Sequence, residues 1–174
     1  MRPILKFAIA ALFLTALPAC KNKEKEQRRT DLQALMHGNT PDPAIKEAMA
    51  KAQSTVGEFL TAIQQPGVSG KDFMVRKVFP AEAGKQQVLL ITELTYDGTA
   101  LRGMVRDNSA KPGSGIPKDG KVTILPSEVV DWMYIKDGVV VGGQMLRALK
   151  TKMTPEEWAA YDRQFTERGI TFKD

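Results

Sequence analysis

A chain of 174 residues, with 25 Lys and Arg against 20 Asp and Glu, has room for one main domain and carries a net charge of +5. Its single cysteine excludes an internal disulfide and a multi-cysteine metal site, and its single histidine argues against a histidine-based catalytic triad. At 43% hydrophobic and 26% charged residues, the chain can bury a core.

The first 19 residues have the pattern of a bacterial signal peptide. Arg2 and Lys6 give a positive start, and residues 7–17 form an apolar run. That run is shorter than the roughly 18–20 residues that a transmembrane helix needs. Residues 17–20, Leu-Pro-Ala-Cys, resemble a lipobox, which implies cleavage before Cys20 and lipidation of its thiol. A plain secretory leader with a chance cysteine is the alternative.

Lipidation of Cys20 makes the membrane the first expected partner. One buried acyl chain holds a protein only marginally, whereas two or three chains, at roughly 0.8 kcal/mol per buried CH₂, hold it firmly. Lys21 stands where an Asp would be the usual signal for retention in the inner membrane. The sequence therefore predicts a lipoprotein on the periplasmic face of the outer membrane.

The segment 20–41 is predicted to be the lipidated cysteine and a flexible tether. Residues 21–29 carry no apolar side chain, and a flexible spacer of this length would hold the domain roughly 25 Å from the lipid. Its basic residues could instead bind anionic headgroups. His37 lies in this tether, away from any site. The domain that follows, residues 42–174, has 18 positive and 17 negative residues, so its charge does not favour nucleic acid as a partner.

The domain is predicted to begin with one helix. Asp42 suits the N-cap and Pro43 the first helical position, and apolar residues recur at steps of three and four as far as Ile63. Residues 65–67, Gln-Pro-Gly, end it.

Strands follow the helix. The pattern predicts strands over residues 73–79, 86–96, 101–106, 121–125, 132–135 and 139–141. Asp97-Gly98 and Asp137-Gly138 indicate tight turns, and residues 107–120, rich in Gly and Pro, form a long loop. Residues 144–150 are predicted to be a short helix. A second helix begins at a capping box of Thr154 and Glu157. The predicted class is α+β, an antiparallel, meander-like sheet packed by an N-terminal helix and C-terminal helices.

One stretch of the domain resembles a known family. Residues 129–135 contain Asp131-Trp132-Met133, and they are followed by Asp137-Gly138, Gly142-Gly143 and Arg147. This set looks like the YegJ-like bacterial proteins, a domain of unknown function, and residues 73–77 are similar to that family's early strand. The resemblance covers about residues 71–149. It implies a fold unit and no reaction, because the family has no settled activity.

Two carboxylates are the candidate catalytic residues. If residues 127–131 form a helical turn, Glu128 and Asp131 share a face, and such a pair could do acid–base work. The simpler interpretation is that Asp131 accepts hydrogen bonds from nearby backbone N–H groups.

The other candidate residues surround Asp131. Arg147 could bind an anion, although an Asp131–Arg147 ion pair is favoured. Trp132 and Tyr134 share one strand face, which is either core or the wall of a groove, and core is favoured. Gly142-Gly143 indicates a bend between a strand and a helix, and its spacing does not match a phosphate-binding loop.

These observations predict a lipid-anchored envelope protein without enzymatic activity. Its domain would bind a periplasmic protein, a peptide or a cell-wall component around Asp131, Trp132, Tyr134, Gly142, Gly143, Arg147 and the long loop. The alternative is a hydrolase of envelope polymers that uses Glu128 and Asp131, and a carrier of a small ligand is a third possibility. No metal site and no cofactor are predicted.

Overall fold

The computed structural model describes residues 19–36, 42–66, 72–105 and 115–173. Along these ranges the chain forms five helices and six strands, and the predicted α+β class with an antiparallel sheet is confirmed. Residues 1–18 of the predicted leader, His37 and most of the predicted loop 107–120 lie outside the described residues.

The elements follow the predicted order closely. The helices are α1 (Ala19–Met36), α2 (Pro43–Ser54), α3 (Val56–Ile63), α4 (Gln144–Lys150) and α5 (Pro155–Thr166). The strands are β1 (Phe73–Pro80), β2 (Gln86–Tyr96), β3 (Leu101–Val105), β4 (Lys121–Ile124), β5 (Val129–Lys136) and β6 (Val139–Gly142). Short 3-10 turns occupy Glu82–Gly84 and Pro126–Glu128.

The six strands form one antiparallel sheet in the order β4-β3-β2-β1-β5-β6. The first four strands make a meander, and β5 then returns to pair with β1 on its free side. This return places Asp131 of β5 directly opposite Arg76 of β1, next to an irregularity in the register between Arg76 and Lys77. Two charged residues therefore meet near the middle of the sheet.

Apolar residues cover both faces of the central strands. Side chains alternate between the faces of a strand, so Phe73 and Val75 belong to one face of β1 and Met74 to the other. The first face packs against Ala52 of α2 and Phe59 of α3. On the second face, Met74 packs in a cluster with Met133, Val140, Ile170, Phe165 and Phe172.

The single predicted helix over residues 42–63 is interrupted at Thr55. Asp42 and Pro43 start α2 as predicted, since the Asp42 carboxylate accepts the N–H groups of Ala44 and Ile45. Thr55 leaves helical geometry at φ −111° and ψ 9°, and its hydroxyl donates to the Lys51 carbonyl at 3.0 Å. Beyond the interruption, α3 buries Phe59 in the core cluster on the sheet.

The region predicted to be a flexible tether contains helix α1 instead. Eighteen residues at 1.5 Å each make this helix about 27 Å long. It contacts α4, and Leu35 packs against the cluster formed by Ile45, Ala48, Val88 and Met145. Arg28 forms an ion pair with Glu157 of α5, with Nε and Oε1 3.0 Å apart. Among the described residues, no helix is long and apolar enough to cross a membrane.

Arg28→Ala should loosen α1 from the domain. The guanidinium of Arg28 gives α1 its ion pair with α5, and it holds the pKa of Glu157 at about 2 together with the Thr154 N–H. We expect faster amide hydrogen exchange across α1 in this variant and unchanged exchange in β1, β2 and β5. Arg29→Ala, on the exposed surface of the same helix, is the control. Equal exchange in both variants would show that the ion pair does not hold α1.

Candidate functional site

Asp131 is buried and caps a helix. It is 3% exposed, and its two carboxylate oxygens accept the N–H groups of Gln144 at 3.0 Å and Met145 at 3.3 Å. Burial raises its pKa to about 6, against the opposing effects of the Arg76 charge and the Trp132 N–H. Asp131 thus bonds backbone N–H groups, as the simpler interpretation predicted, but they belong to α4 and not to its own turn.

Glu128 is held by a different set of groups. Its Oε1 lies 2.6 Å from Nζ of Lys77, and its Oε2 accepts the Leu125 N–H at 2.8 Å. Burial works against ionisation, but these two donors together hold its pKa below the usual value. The helical turn ends at Glu128, and Asp131 already lies in β5. Neither carboxylate contributes to the pKa of the other, so the geometry does not assemble the expected acid–base pair.

Trp132 and Tyr134 are parts of the core. Trp132 is 3% exposed, and its indole N–H donates to the Ala52 carbonyl at 2.9 Å. Tyr134 is half-buried and stacks on Phe73, with ring centroids 4.8 Å apart. Both rings also lie beside Phe59. The favoured prediction of a core face is confirmed for this pair.

Gly142 and Gly143 form the bend between β6 and α4. A Cβ at Gly142 would lie 2.4 Å from the Trp132 carbonyl oxygen and 2.5 Å from two ring carbons, and φ there is +80°. Gly143 also has a positive φ, +69°, but a Cβ there would meet no atom closer than 3.8 Å. The Gly143 N–H donates to the Trp132 carbonyl at 2.8 Å. The bend therefore presses the backbone directly onto the tryptophan.

The expected Asp131–Arg147 ion pair is wrong for the part of the chain that the structure describes. Arg147 donates from Nε to the Gly142 carbonyl at 3.0 Å and from Nη1 to the Lys173 carbonyl. Its guanidinium also lies over the Phe172 ring, 4.6 Å from the centroid. Arg147 thus fastens the C-terminal segment to the bend, while the carboxylate of Asp131 is occupied by the start of α4.

Sequence reasoning missed the cation that faces Asp131. Arg76 is 9% exposed and lies opposite Asp131 in the register of β1 and β5. Its charge acts on the pKa of Asp131 and also on that of Tyr161 in α5, which burial raises. The signal was present in the sequence, because Arg76 lies between Met74 and Val78 on one face of a predicted strand.

A cavity of the described surface lies elsewhere, on β2, β3 and β4. It is an open groove of about 300 Å³. Its lining contains three charged residues, two threonines, a methionine, a glycine and a valine: Glu93, Arg102, Lys121, Thr95, Thr123, Met104, Gly103 and Val122. None of these residues was a predicted site residue. Within the described ranges, no three His, Cys, Asp or Glu residues are grouped so as to hold a metal ion.

A strained residue lies in the wall of this groove. Glu93 has φ +55°, where the register between β2 and β3 shifts between Thr92 and Thr95. A left-handed conformation costs a non-glycine residue roughly 1–2 kcal/mol, and such bulges redirect side chains near functional sites. Gly103 of β3 accommodates the bulge, because a Cβ there would lie 2.6 Å from Ile91 and Leu94 side chains.

Comparison with known proteins identifies the domain. The sequence profile described as "Uncharacterized protein conserved in bacteria (DUF2314)" matches residues 42–172. This range includes α2 to α5, all six strands, the region around Asp131 and the groove on β2, β3 and β4. The chain belongs to this bacterial family. The match begins at the N-cap of α2, whereas the YegJ-like resemblance covered only about residues 71–149. The narrower YegJ-like assignment stays a prediction.

A longer protein is also similar to this chain. A protein of Neisseria meningitidis serogroup B, named as a putative ankyrin repeat protein, is 26% identical to this chain over 142 residues. The match covers 76% of this chain and 54% of that protein, so this chain spans about half the length of its relative. No solved structure matches the chain significantly.

Gly142→Ala should destabilise the domain far more than Gly143→Ala. Both substitutions put alanine at positive φ, which costs roughly 1–2 kcal/mol, but only the first also drives a Cβ into Trp132. We expect the free energy of unfolding of Gly142→Ala to fall below that of Gly143→Ala by about 2 kcal/mol or more, as measured by urea denaturation. Equal losses would mean that the close approach to Trp132 carries no constraint.

Asp131 should make the domain less stable as the pH rises from about 4 to about 6. Its pKa is raised to about 6 in the folded state, so the folded state binds the proton more tightly than the unfolded chain in this window. The contribution of Asp131 to the unfolding free energy should fall across the window by up to about 3 kcal/mol. Asp42, Asp97, Glu128 and Glu157 act in the opposite sense, because their pKa values are lowered and their contribution is lost at more acidic pH.

Asp131→Asn isolates this contribution. The difference in unfolding free energy between the natural protein and the variant should change with pH between 4 and 6 and stay constant between 7 and 8. Asn keeps the shape of the carboxylate but places an NH₂ group near an N–H of α4, so we expect a constant loss of about 1–3 kcal/mol in addition. A pH-independent difference would contradict the assignment of the shift to Asp131.

Proposed function

We propose that this protein is a lipid-anchored protein of the bacterial envelope whose domain binds a periplasmic protein, a peptide or a cell-wall component. The lipobox-like sequence that ends at Cys20 supports the anchor, and Lys21 supports the periplasmic face of the outer membrane. Membership of a bacterial family is consistent with this setting. The domain does not need catalytic activity for such a role.

The open groove on β2, β3 and β4 is the observation that supports a binding role. Two cations, one carboxylate and two hydroxyl groups converge on one solvent-filled depression. Such a set offers charge pairing and hydrogen bonds to a polar partner. Glu93 is the single carboxylate of the lining, so the groove lacks the paired acids of a glycoside hydrolase.

The hydrolase alternative finds less support in the geometry. Asp131 is 3% exposed, and both of its oxygens are bonded to α4, so a substrate has little access to it. Glu128 is engaged by Lys77. Asp131 accepts hydrogen bonds from α4 and Glu128 pairs with Lys77, so the two carboxylates bind different groups.

The longer relative is consistent with a binding module. The match covers about half of a longer protein, and that protein is named as a putative ankyrin repeat protein. A domain that occurs as one part of a longer chain suits a role in recognition, where attached segments supply other contacts.

In-cell crosslinking tests the proposed function. The protein carries a photo-crosslinking residue in place of Thr95, in the groove, or in place of Lys136, the exposed last residue of β5, as the matched control. We expect a repeated specific partner only from the groove position, identified by mass spectrometry. Identical products from both positions, or none from the groove, would contradict a binding role for the groove.

Cys20→Ala tests the anchor separately. The natural protein should incorporate labelled palmitate and fractionate with the outer membrane, and the variant should do neither, because acyl chains provide the membrane affinity. Unlabelled natural protein would overturn the anchor while leaving the binding role open.

A further inference from the structure

Among the described residues, the outer edge of β4 is an unpaired strand edge next to the groove. β4 ends the sheet, and it pairs only with β3 among the described strands. Its register places Lys121 opposite Met104, Thr123 opposite Arg102 and Val122 opposite Gly103. The Val105 N–H donates to the Gly120 carbonyl at 2.9 Å, which marks that opposed pair as hydrogen-bonded.

Hydrogen-bonded and non-hydrogen-bonded pairs alternate along an antiparallel ladder. Val122 and Ile124 therefore bond to β3, while the backbone groups of Lys121 and Thr123 face outward. Side chains of the protein already occupy two outward N–H groups at this edge. Asp119 accepts the Lys121 N–H at 3.1 Å, and Glu128 accepts the Leu125 N–H at 2.8 Å. Between them, the Thr123 N–H has no acceptor among the described residues.

The opposite edge of the sheet is treated differently. The C-terminal segment bridges to β6 in parallel, with Val139 beside Thr171, and the Val140 N–H donates to the Thr171 carbonyl at 3.0 Å. An extended segment of the chain thus covers β6. Edge strands left open tend to accept another strand, and proteins usually protect them. At β4, Asp119 and Glu128 protect the N–H groups of the residues two positions before and after Thr123, and the Thr123 N–H itself is unprotected.

The charges around this edge have both signs. Asp119 and Glu128 bond to its backbone, whereas the groove lining on β3 and β4 carries two cations. Arg102 and Lys121 line the groove, with side chains 66% and 73% exposed. Each has one surface carboxylate partner, Asp97 at 2.9 Å and Asp119 at 3.6 Å. Ion pairs this exposed contribute little and are easily exchanged. A ligand carboxylate beside β4 would therefore meet two available cations, while Glu93 lies farther in, on β2.

We propose that the β4 edge and the adjoining groove bind an extended acidic peptide of a partner protein, which adds to the sheet as a strand. Its backbone bonds to Thr123, and its alternate side chains point into the groove, where a carboxylate meets Lys121 and Arg102. This mode is β-strand addition, in which main-chain bonds provide affinity and alternate side chains provide specificity. The inference rests on the proposed binding role and names its partner class.

Thr123→Pro tests the backbone contact. Proline removes the outward N–H of Thr123 and no bond to β3, so the edge strand should tolerate it. The probe is a fluorescent peptide that alternates valine with glutamate, titrated into the full-length protein in detergent and followed by anisotropy. We expect about tenfold weaker binding by the variant, because one or two main-chain hydrogen bonds are lost. An unchanged urea midpoint shows that the variant is folded.

Lys121→Glu tests the charge and does not depend on how the backbone responds to proline. It should weaken binding of the acidic peptide and favour a peptide that alternates valine with lysine. Lys136→Glu, an equal change of charge at the exposed end of β5, is the matched control and should leave both affinities unchanged apart from a small salt-dependent shift.

Three results would overturn the inference. The first is failure of the acidic peptide to bind the natural protein, and the second is normal binding by both Thr123→Pro and Lys121→Glu. The third is conversion of a dimer to a monomer by Thr123→Pro in light scattering, which would identify a second copy as the occupant. The crosslinking experiment separates this inference from the proposed function. A partner captured equally well by the groove in Thr123→Pro would preserve the binding role and refute the strand addition.

Discussion

The contact of Gly142 with Trp132 is the constraint on which the rest of the domain depends. Because Gly142 has no side chain, β6 can turn across the indole ring and deliver the Gly143 N–H to the Trp132 carbonyl. The same turn brings the first N–H groups of α4 to Asp131, next to Trp132 in β5. The indole N–H in turn holds the Ala52 carbonyl, where α2 ends near Thr55. One tryptophan thereby fixes two helices and the last two strands.

Local patterns made most of the fold predictable. Asp42 with Pro43 and Thr154 with Glu157 satisfy N–H groups within their own helices, so their sequences suffice to place both helix starts. The bounds of β2 were predicted exactly, since its apolar run is flanked by turn residues. The prediction failed where distant contacts decide. A polar segment forms α1, and Arg28 of this helix bonds to Glu157, 129 residues away in the chain. No local sequence pattern indicates that pairing.

Contacts between residues that are distant in the sequence also explain why the candidate site was predicted incorrectly. The sequence placed Glu128 and Asp131 together because they are three residues apart, but each is bound by a residue from another element. Lys77, 51 residues from Glu128, reaches it because β1 and β5 are neighbours in the sheet. The groove was hidden for a related reason. Its charged and hydroxyl residues alternate along β2, β3 and β4 as on any solvated strand face, and only the pairing of the three strands gathers them.

The residues that carry the family resemblance and the residues that line the groove lie at opposite ends of one sheet. The residues that carry the YegJ-like pattern lie on β5, β6 and α4, where the side chains are buried, bonded to backbone or packed against aromatic rings. Such residues are needed for the fold whatever the domain binds. At the other end, β3 and β4 expose Arg102, Lys121 and Thr123, and these side chains can change without disturbing the core. Under the proposed binding role, substitutions at the open end would change what the domain recognises and leave the buried end intact.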